Sequence, residues 1–214
     1  MSLDMSVVYQ GQFGSYSIND DDRKGVIIYR AALTFSAVSF ATATALILIY
    51  PNLDLSVITP LFACFCLGLG VALATIHIYM VLLHRVLQGF WAIGVIASVA
   101  IALQSNQPLA ATIYSQPITI LGVGFTFAAL TGIFFKEAFC FNRFETKFLS
   151  PLVPTLLLGH LFGVLPLQGE QVLLGIWAVL FLVFAIRKTV QEIPADIGDK
   201  SVFDYLEKQR AEVR

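Results

Sequence analysis

The side chains able to do chemistry in this sequence are few, and they lie in or beside long apolar runs. His77 sits in Ile76-His77-Ile78-Tyr79-Met80, and His84-Arg85 follows one heptad later. Lys136-Glu137 closes another apolar run, with Cys140, Arg143 and Glu145 just beyond it. His160 lies inside a third. An ionisable group in lipid is costly, so each of these is a functional candidate by position alone. On one helix, His77 and His84 would share a face about 10 Å apart along the axis. That separation is too great for one metal ion and suits two separate ligands, or one ligand and one loop anchor. Glu137 and Cys140, three apart, also share a helical face and could hold zinc or iron. His160 would lie roughly 16 Å and His77 roughly 9 Å from the inner helix ends. A haem or chlorophyll bound between them would need tilted helices to bring those depths together.

Plainer roles compete with each of these. A membrane histidine often only hydrogen-bonds a neighbouring helix. His84 and Arg85 suit the headgroup level as topology anchors, and Lys136-Glu137 suits an interfacial ion pair. Gly159 and Gly163 bracket His160 in a small-xxx-small pattern that close helix packing explains without a ligand. Gly68, Gly70, Ala72 and Ala74 read in the same way.

The elements that must position these residues follow from composition. The chain has 214 residues, 57% hydrophobic and 13% charged, with a mean hydropathy of +0.81. Soluble domains carry about 25% charged residues, so the main solvent of this chain is lipid. The net charge of −1 gives no reason to expect nucleic acid as a partner. The cysteines Cys64, Cys66 and Cys140 are too few for a disulfide framework. The first residues lack the basic-then-apolar order of a secretory signal.

Apolar runs of spanning length predict helices over 27–50, 57–83, 86–103, 117–135, 150–166 and 171–187. Breakers separate them: Pro51-Asn52, His84-Arg85, Gln104 to Pro108, and Pro166 to Glu170. The basic residues collect on alternate connections. Arg23, Lys24 and Arg30 precede or enter the first span, Arg85 lies in the second connection, and Lys136, Arg143 and Lys147 lie in the fourth. Arg187, Lys188, Lys200, Lys208, Arg210 and Arg214 follow the last span. By the positive-inside rule this predicts an all-α polytopic bundle of six spans with both termini inside. It divides into a polar tail over 1–25, a membrane domain over 26–188 and a charged tail over 189–214. Phe141, Phe144 and Phe148 recur at helical spacing among charges, which predicts a surface helix from Cys140 to Leu149. A second short surface helix is expected from Ser201 to Arg214. Arg30, His77, His84, Arg85, Lys136, Glu137, Cys140, Arg143 and Glu145 all fall toward the inner side and could converge there.

The runs Ile76-His77-Ile78-Tyr79, Leu83-His84-Arg85-Val86-Leu87-Gln88 and Phe135-Lys136-Glu137-Ala138-Phe139-Cys140-Phe141-Asn142-Arg143 resemble a cyanobacterial and plastid family of integral membrane proteins with no assigned function. Tyr9-Gln10-Gly11-Gln12-Phe13-Gly14, Asp22-Arg23 and Tyr29-Arg30 are similar to it too, so the resemblance runs from about Tyr9 to Lys188. It implies a thylakoid or plasma membrane and brings no reaction. Three functions follow as expectations. The first is an assembly or cofactor-handling factor for photosynthetic membrane complexes, with His77 or His160 as an axial ligand. The second is an intramembrane metal-dependent enzyme using His77, His84, Glu137 and Cys140. The third is a small transporter, for which internal repeats and mid-membrane charges are largely missing.

Overall fold

A computed structural model describes residues 8–78, 80–203, 205 and 211. The chain opens with a hairpin of β1 (Val8–Gly11) and β2 (Gly14–Ser17), paired antiparallel with Tyr9 opposite Tyr16 and Gly11 opposite Gly14. Helix α1 (Asp20–Ile49) follows at once. Asn19 caps it reciprocally: its side chain accepts from the Asp22 N–H at 2.8 Å, and the Asp22 carboxylate accepts from the Asn19 N–H at 3.0 Å. Asp20, Asp21 and Asp22 in the first turn favour the positive end of the helix dipole.

The remaining helices are α2 (Ile58–Thr75), α3 (Val81–Gln104), the short α4 (Leu109–Ser115), α5 (Ile120–Phe141), α6 (Phe144–Leu161), α7 (Leu167–Thr189) and the short α8 (Ile193–Ile197). Neighbours α1–α2, α3–α5, α1–α7, α5–α6 and α6–α7 pack against one another, so the long helices form an up-and-down bundle. Phe65, Leu69, Leu130, Phe134, Trp177, Phe181 and Phe184 fill its centre, where α2, α5 and α7 meet. The outward faces are as apolar as this core. Leu67, Leu82, Ile96 and Phe139 are each at least 66% exposed. Helices that are apolar all round are stable in lipid, and water would not tolerate such a surface.

Among the described residues, five helical segments are long and apolar enough to cross a membrane: Asp20–Ile49, Leu55–Thr75, Val81–Gln104, Pro117–Phe141 and Leu167–Thr189. Helix α6 is not one of them, because Glu145, Lys147 and His160 lower the hydropathy of its 18 residues. At 1.5 Å per residue it is still about 27 Å long, close to the ~30 Å hydrocarbon core. Helix α1, with 30 residues, is about 45 Å long and must project beyond that core at its charged end.

Two local expectations are corrected. The span predicted over 57–83 ends at Thr75, and His77 lies in a non-helical step before α3 starts at Val81. In a continued helix the Leu73 carbonyl would accept from the His77 N–H. Instead it takes His84 Nε2 at 2.6 Å and Gln88 Nε2 at 3.2 Å, so side chains from α3 satisfy the open end of α2. His77 and His84 therefore do not share a helix face. The surface helix predicted from Cys140 to Leu149 is also absent. Asn142 adopts a left-handed conformation at φ 51°, ending α5, and α6 begins directly at Phe144. Pro151 and Pro154, expected at the start of a span, lie well inside α6. Within the polar stretch over 1–25, the described residues from Val8 onward form the hairpin and the first turns of α1. Of the helix expected over 201–214, Ser201 to Phe203 are helical and most of the rest lies outside the described residues.

Helices α3 and α5 cross closely at Gly94. A Cβ placed on Gly94 would meet the backbone nitrogen and Cα of Thr126, which cannot move aside like a flexible side chain. Gly94→Ala should therefore destabilise the detergent-solubilised protein by about 1–3 kcal/mol through overpacking. Gly89 on the same helix faces open space, so Gly89→Ala should be neutral or slightly stabilising. Thermal denaturation of the two variants side by side checks the pair.

Candidate functional site

Charged side chains from five helices meet where α1 begins and α5 and α7 end. Lys188, in the last turn of α7, has a side chain that is 0% exposed. Its ammonium donates to Glu137 Oε2 of α5 at 2.6 Å and also pairs with Asp196 of α8. Asp196 in turn accepts from Arg30 of α1, at 2.8 Å to Nε and 2.7 Å to Nη2. Glu137 Oε1 takes Lys136 at 2.9 Å and lies 3.5 Å from the Tyr29 hydroxyl. A second carboxylate, Glu145 at the start of α6, pairs with Arg143 at 3.4 Å and Arg187 at 2.8 Å. Gln191 joins the two groups, accepting from Arg143 at 2.5 Å and Lys188 at 3.4 Å and donating to Asp196 at 3.3 Å. The half-buried Phe141 ring lies among three of the cations, 4.3 Å from Lys188 Nζ, 5.3 Å from Lys136 Nζ and 6.0 Å from the Arg143 guanidinium carbon.

This network fastens a cap across the basic end of the bundle. Ile18, Val26 and Ile197 form a small core with Tyr9, Tyr16 and Ile193, joining the hairpin, α1 and α8. Lys200 reaches Asp22 at 2.8 Å. Asp199 accepts the Gln12 N–H at 2.6 Å, and the Phe13 N–H donates to Ser201 Oγ at 3.1 Å. Hydrogen bonds from Ser201 first, and then from the Gln12 N–H, hold the Asp199 carboxyl below the usual carboxylate range.

Of the sequence-predicted residues, Lys136, Glu137 and Arg143 enter this network, together with Arg30 and Glu145. His77 lies beside it in the α2–α3 step, close to Gly25 of α1. Burial keeps its imidazole neutral to lower pH than usual, with the negative charge of Asp22 opposing that effect. His77 and His84 line one cavity of about 180 Å³, together with Ile76, Ile78, Ile197 and Phe203. That volume is below the roughly 300–1,000 Å³ of small-molecule sites, so it is too small for a haem or chlorophyll ring. Arg85 turns outward and bonds Gln88 at 3.1 Å. Glu137 and Cys140 do not form a ligand pair, since Glu137 is fully buried with both oxygens on lysines while Cys140 is exposed. Among the described residues no three His, Cys, Asp or Glu side chains are grouped to hold a metal ion.

His160 lies at the opposite end. Its Nδ1 is 2.7 Å from Glu170 Oε1, its Nε2 is 3.2 Å from the Tyr114 carbonyl, and its ring stacks on Tyr114. Helix α6 carries it about 22 Å from Glu145. The depth predicted for it assumed a helix starting at residue 150. No ligand can bridge His77 and His160.

Sequence reasoning missed Lys188, Gln191 and Asp196. The sequence reading places Lys188 among the basic residues that follow the last span. The available signal was the pair Ile193 and Ile197, four apart after a charged turn and flanking Asp196, which marks a segment that buries one face.

A family model described as uncharacterized integral membrane protein (DUF2301) matches residues 71–205. That stretch is well over half of the chain and holds every helix of the network except α1. The chain belongs to this family of integral membrane proteins. No curated protein and no solved structure matches it. The family description establishes the membrane as the protein's setting and assigns no activity.

Breaking a buried ion pair by removing one partner costs about 3–5 kcal/mol, because the other charge is left uncompensated. Lys188→Met should therefore lower stability by about that amount. Arg187→Gln should lower it by less than about 1 kcal/mol, because that side chain is 55% exposed and Glu145 keeps Arg143. Unfolding of both variants in the same detergent would check the contrast.

Proposed function

We propose that this family member is a non-enzymatic membrane protein that supports the assembly of other membrane components through its inner-face cap. In this reading the bundle spans the bilayer six times, α6 being the short, polar sixth span, and both ends lie on the cytoplasmic or stromal side. The alternation of basic connections supports that orientation.

The observation that carries the reading is the surface of the cap. Phe13 and Tyr205 stack at 4.1 Å between ring centroids, and they are 44% and 38% exposed. Val8 and Phe203 add further exposed apolar surface at 63% and 39%. These groups sit on the hairpin and the segment after α8, at the charged end of the bundle. Apolar rings presented on an ion-pinned cap fit a partner protein. The sequence resemblance supports a cyanobacterial thylakoid or plasma membrane, with photosynthetic complexes as clients. The enzyme reading receives less support, because His77, His84, Glu137 and Cys140 do not converge on one point.

The test is genetic and biochemical. Deleting the gene should lower the amount of at least one membrane complex on native gels several-fold. Wild-type protein should restore it, and a Phe13→Ser, Tyr205→Ser double variant present at equal membrane level should not. Unchanged complexes in the deletion strain, or full rescue by the double variant, would refute the proposal.

A further inference from the structure

Among the described residues, the ion network at the basic end holds more cations than carboxylates. Its cations are Arg30, Lys136, Arg143, Arg187 and Lys188, and its carboxylates are Glu137, Glu145 and Asp196. Five cations against three carboxylates leave two positive charges. Every carboxylate is already shared between two cations: Glu137 by Lys136 and Lys188, Glu145 by Arg143 and Arg187, and Asp196 by Arg30 and Lys188. Of these five cations only Arg187 is open to solvent, its side chain being 55% exposed. The side chains of Lys136 and Arg143 are each only 10% exposed. Nearby, Lys200 is matched by Asp22. Glu192 offers Arg30 its carbonyl at 3.1 Å, while its own side chain faces solvent. Uncompensated charge at low dielectric calls for a counter-ion.

The surroundings indicate where that counter-ion comes from. Phe135 and Phe139 pair on α5 at 4.9 Å, and Phe144 and Phe148 pair on α6 at 4.5 Å. All four are more than half exposed at the same end of the bundle, where α5 ends and α6 begins. An anion with acyl chains would satisfy both features at once: its headgroup would meet the cations and its chains would lie along the rings. We propose that the α5–α6 corner is a binding site for one anionic phospholipid, with the phosphate held by Lys136, Arg143 and Arg187. This goes beyond the assembly reading and does not depend on it.

The experiment uses the full-length protein, delipidated in neutral detergent and followed by native mass spectrometry and thermal denaturation. Phosphatidylglycerol should be retained as a one-to-one adduct and should raise the melting midpoint, while phosphatidylcholine should do neither. Arg187→Gln, which leaves Glu145 paired with Arg143, should weaken phosphatidylglycerol retention at least fivefold. Lys136→Gln should do the same where it folds. Lys24→Gln removes an exposed charge that pairs with Asp21 on α1 and takes no part in the network, and it should leave retention unchanged. Equal binding of the two lipids, unchanged retention in Arg187→Gln, or equal loss in Lys24→Gln would overturn the site. Displacement of the lipid by an equal concentration of inorganic phosphate would also overturn it, because the anion would then be free phosphate.

Discussion

Burying the ammonium of Lys188 at the end of α7 constrains everything around it. A lysine with no exposed side-chain surface must find negative charge within reach, and it finds Glu137 and Asp196. Glu137 sets the rotation of α5 against α7. Asp196 brings the chain back after α7, so that α8 folds under the bundle and does not continue into solvent. Arg30 then fixes α1 to the same carboxylate. One buried cation thus sets the register of two spanning helices and the return of the segment that follows them.

The hydrophobic effect cannot set that register in lipid, because the outer faces of these helices gain nothing from burial against each other. Packing and polar contacts carry the specificity. Small residues let α1 approach α2 at Gly68, where an added Cβ would meet Ser36 and the Ala32 carbonyl. The ionic contacts between helices divide between the two ends. His160–Glu170 closes the α6–α7 hairpin at one end, and the Lys188 network closes the other. Between them the centre is aromatic and aliphatic, with Trp177 edge-on to Phe127 at 5.2 Å.

Much of this was legible in the sequence. Apolar runs of spanning length point to an all-α membrane bundle, and the grouping of Arg30, Lys136, Glu137, Arg143 and Glu145 at one end of it follows from their places beside those runs. The break after Thr75 was not legible, because Ile76 to Met80 contains neither proline nor glycine and its hydropathy runs on into α3. Side chains eleven and fifteen residues beyond Leu73 satisfy that helix end, and such long-range capping leaves no local pattern. Asn142 gave only a weak signal for a turn between α5 and α6, since the aromatic periodicity runs straight across it. Lys188 and Asp196 look like members of a charged tail until α8 returns to the bundle. The pairing of His160 with Glu170 needed the α6–α7 hairpin to be drawn with its ends at Leu161 and Leu167.

The central claim is that buried charge locks the cap onto the bundle. Hydrogen–deuterium exchange on the wild-type protein and on Asp196→Asn tests it most directly. Losing the carboxylate shared by Arg30 and Lys188 should speed exchange about tenfold or more in the described hairpin and in α8, through local opening. The amides of α2 and α3, which the network does not touch, should exchange as before. Equal protection of the hairpin and α8 in the two proteins would contradict the account and leave the cap held by its small apolar core and by the contacts of Asp22, Gln12 and Phe13 with Lys200, Asp199 and Ser201.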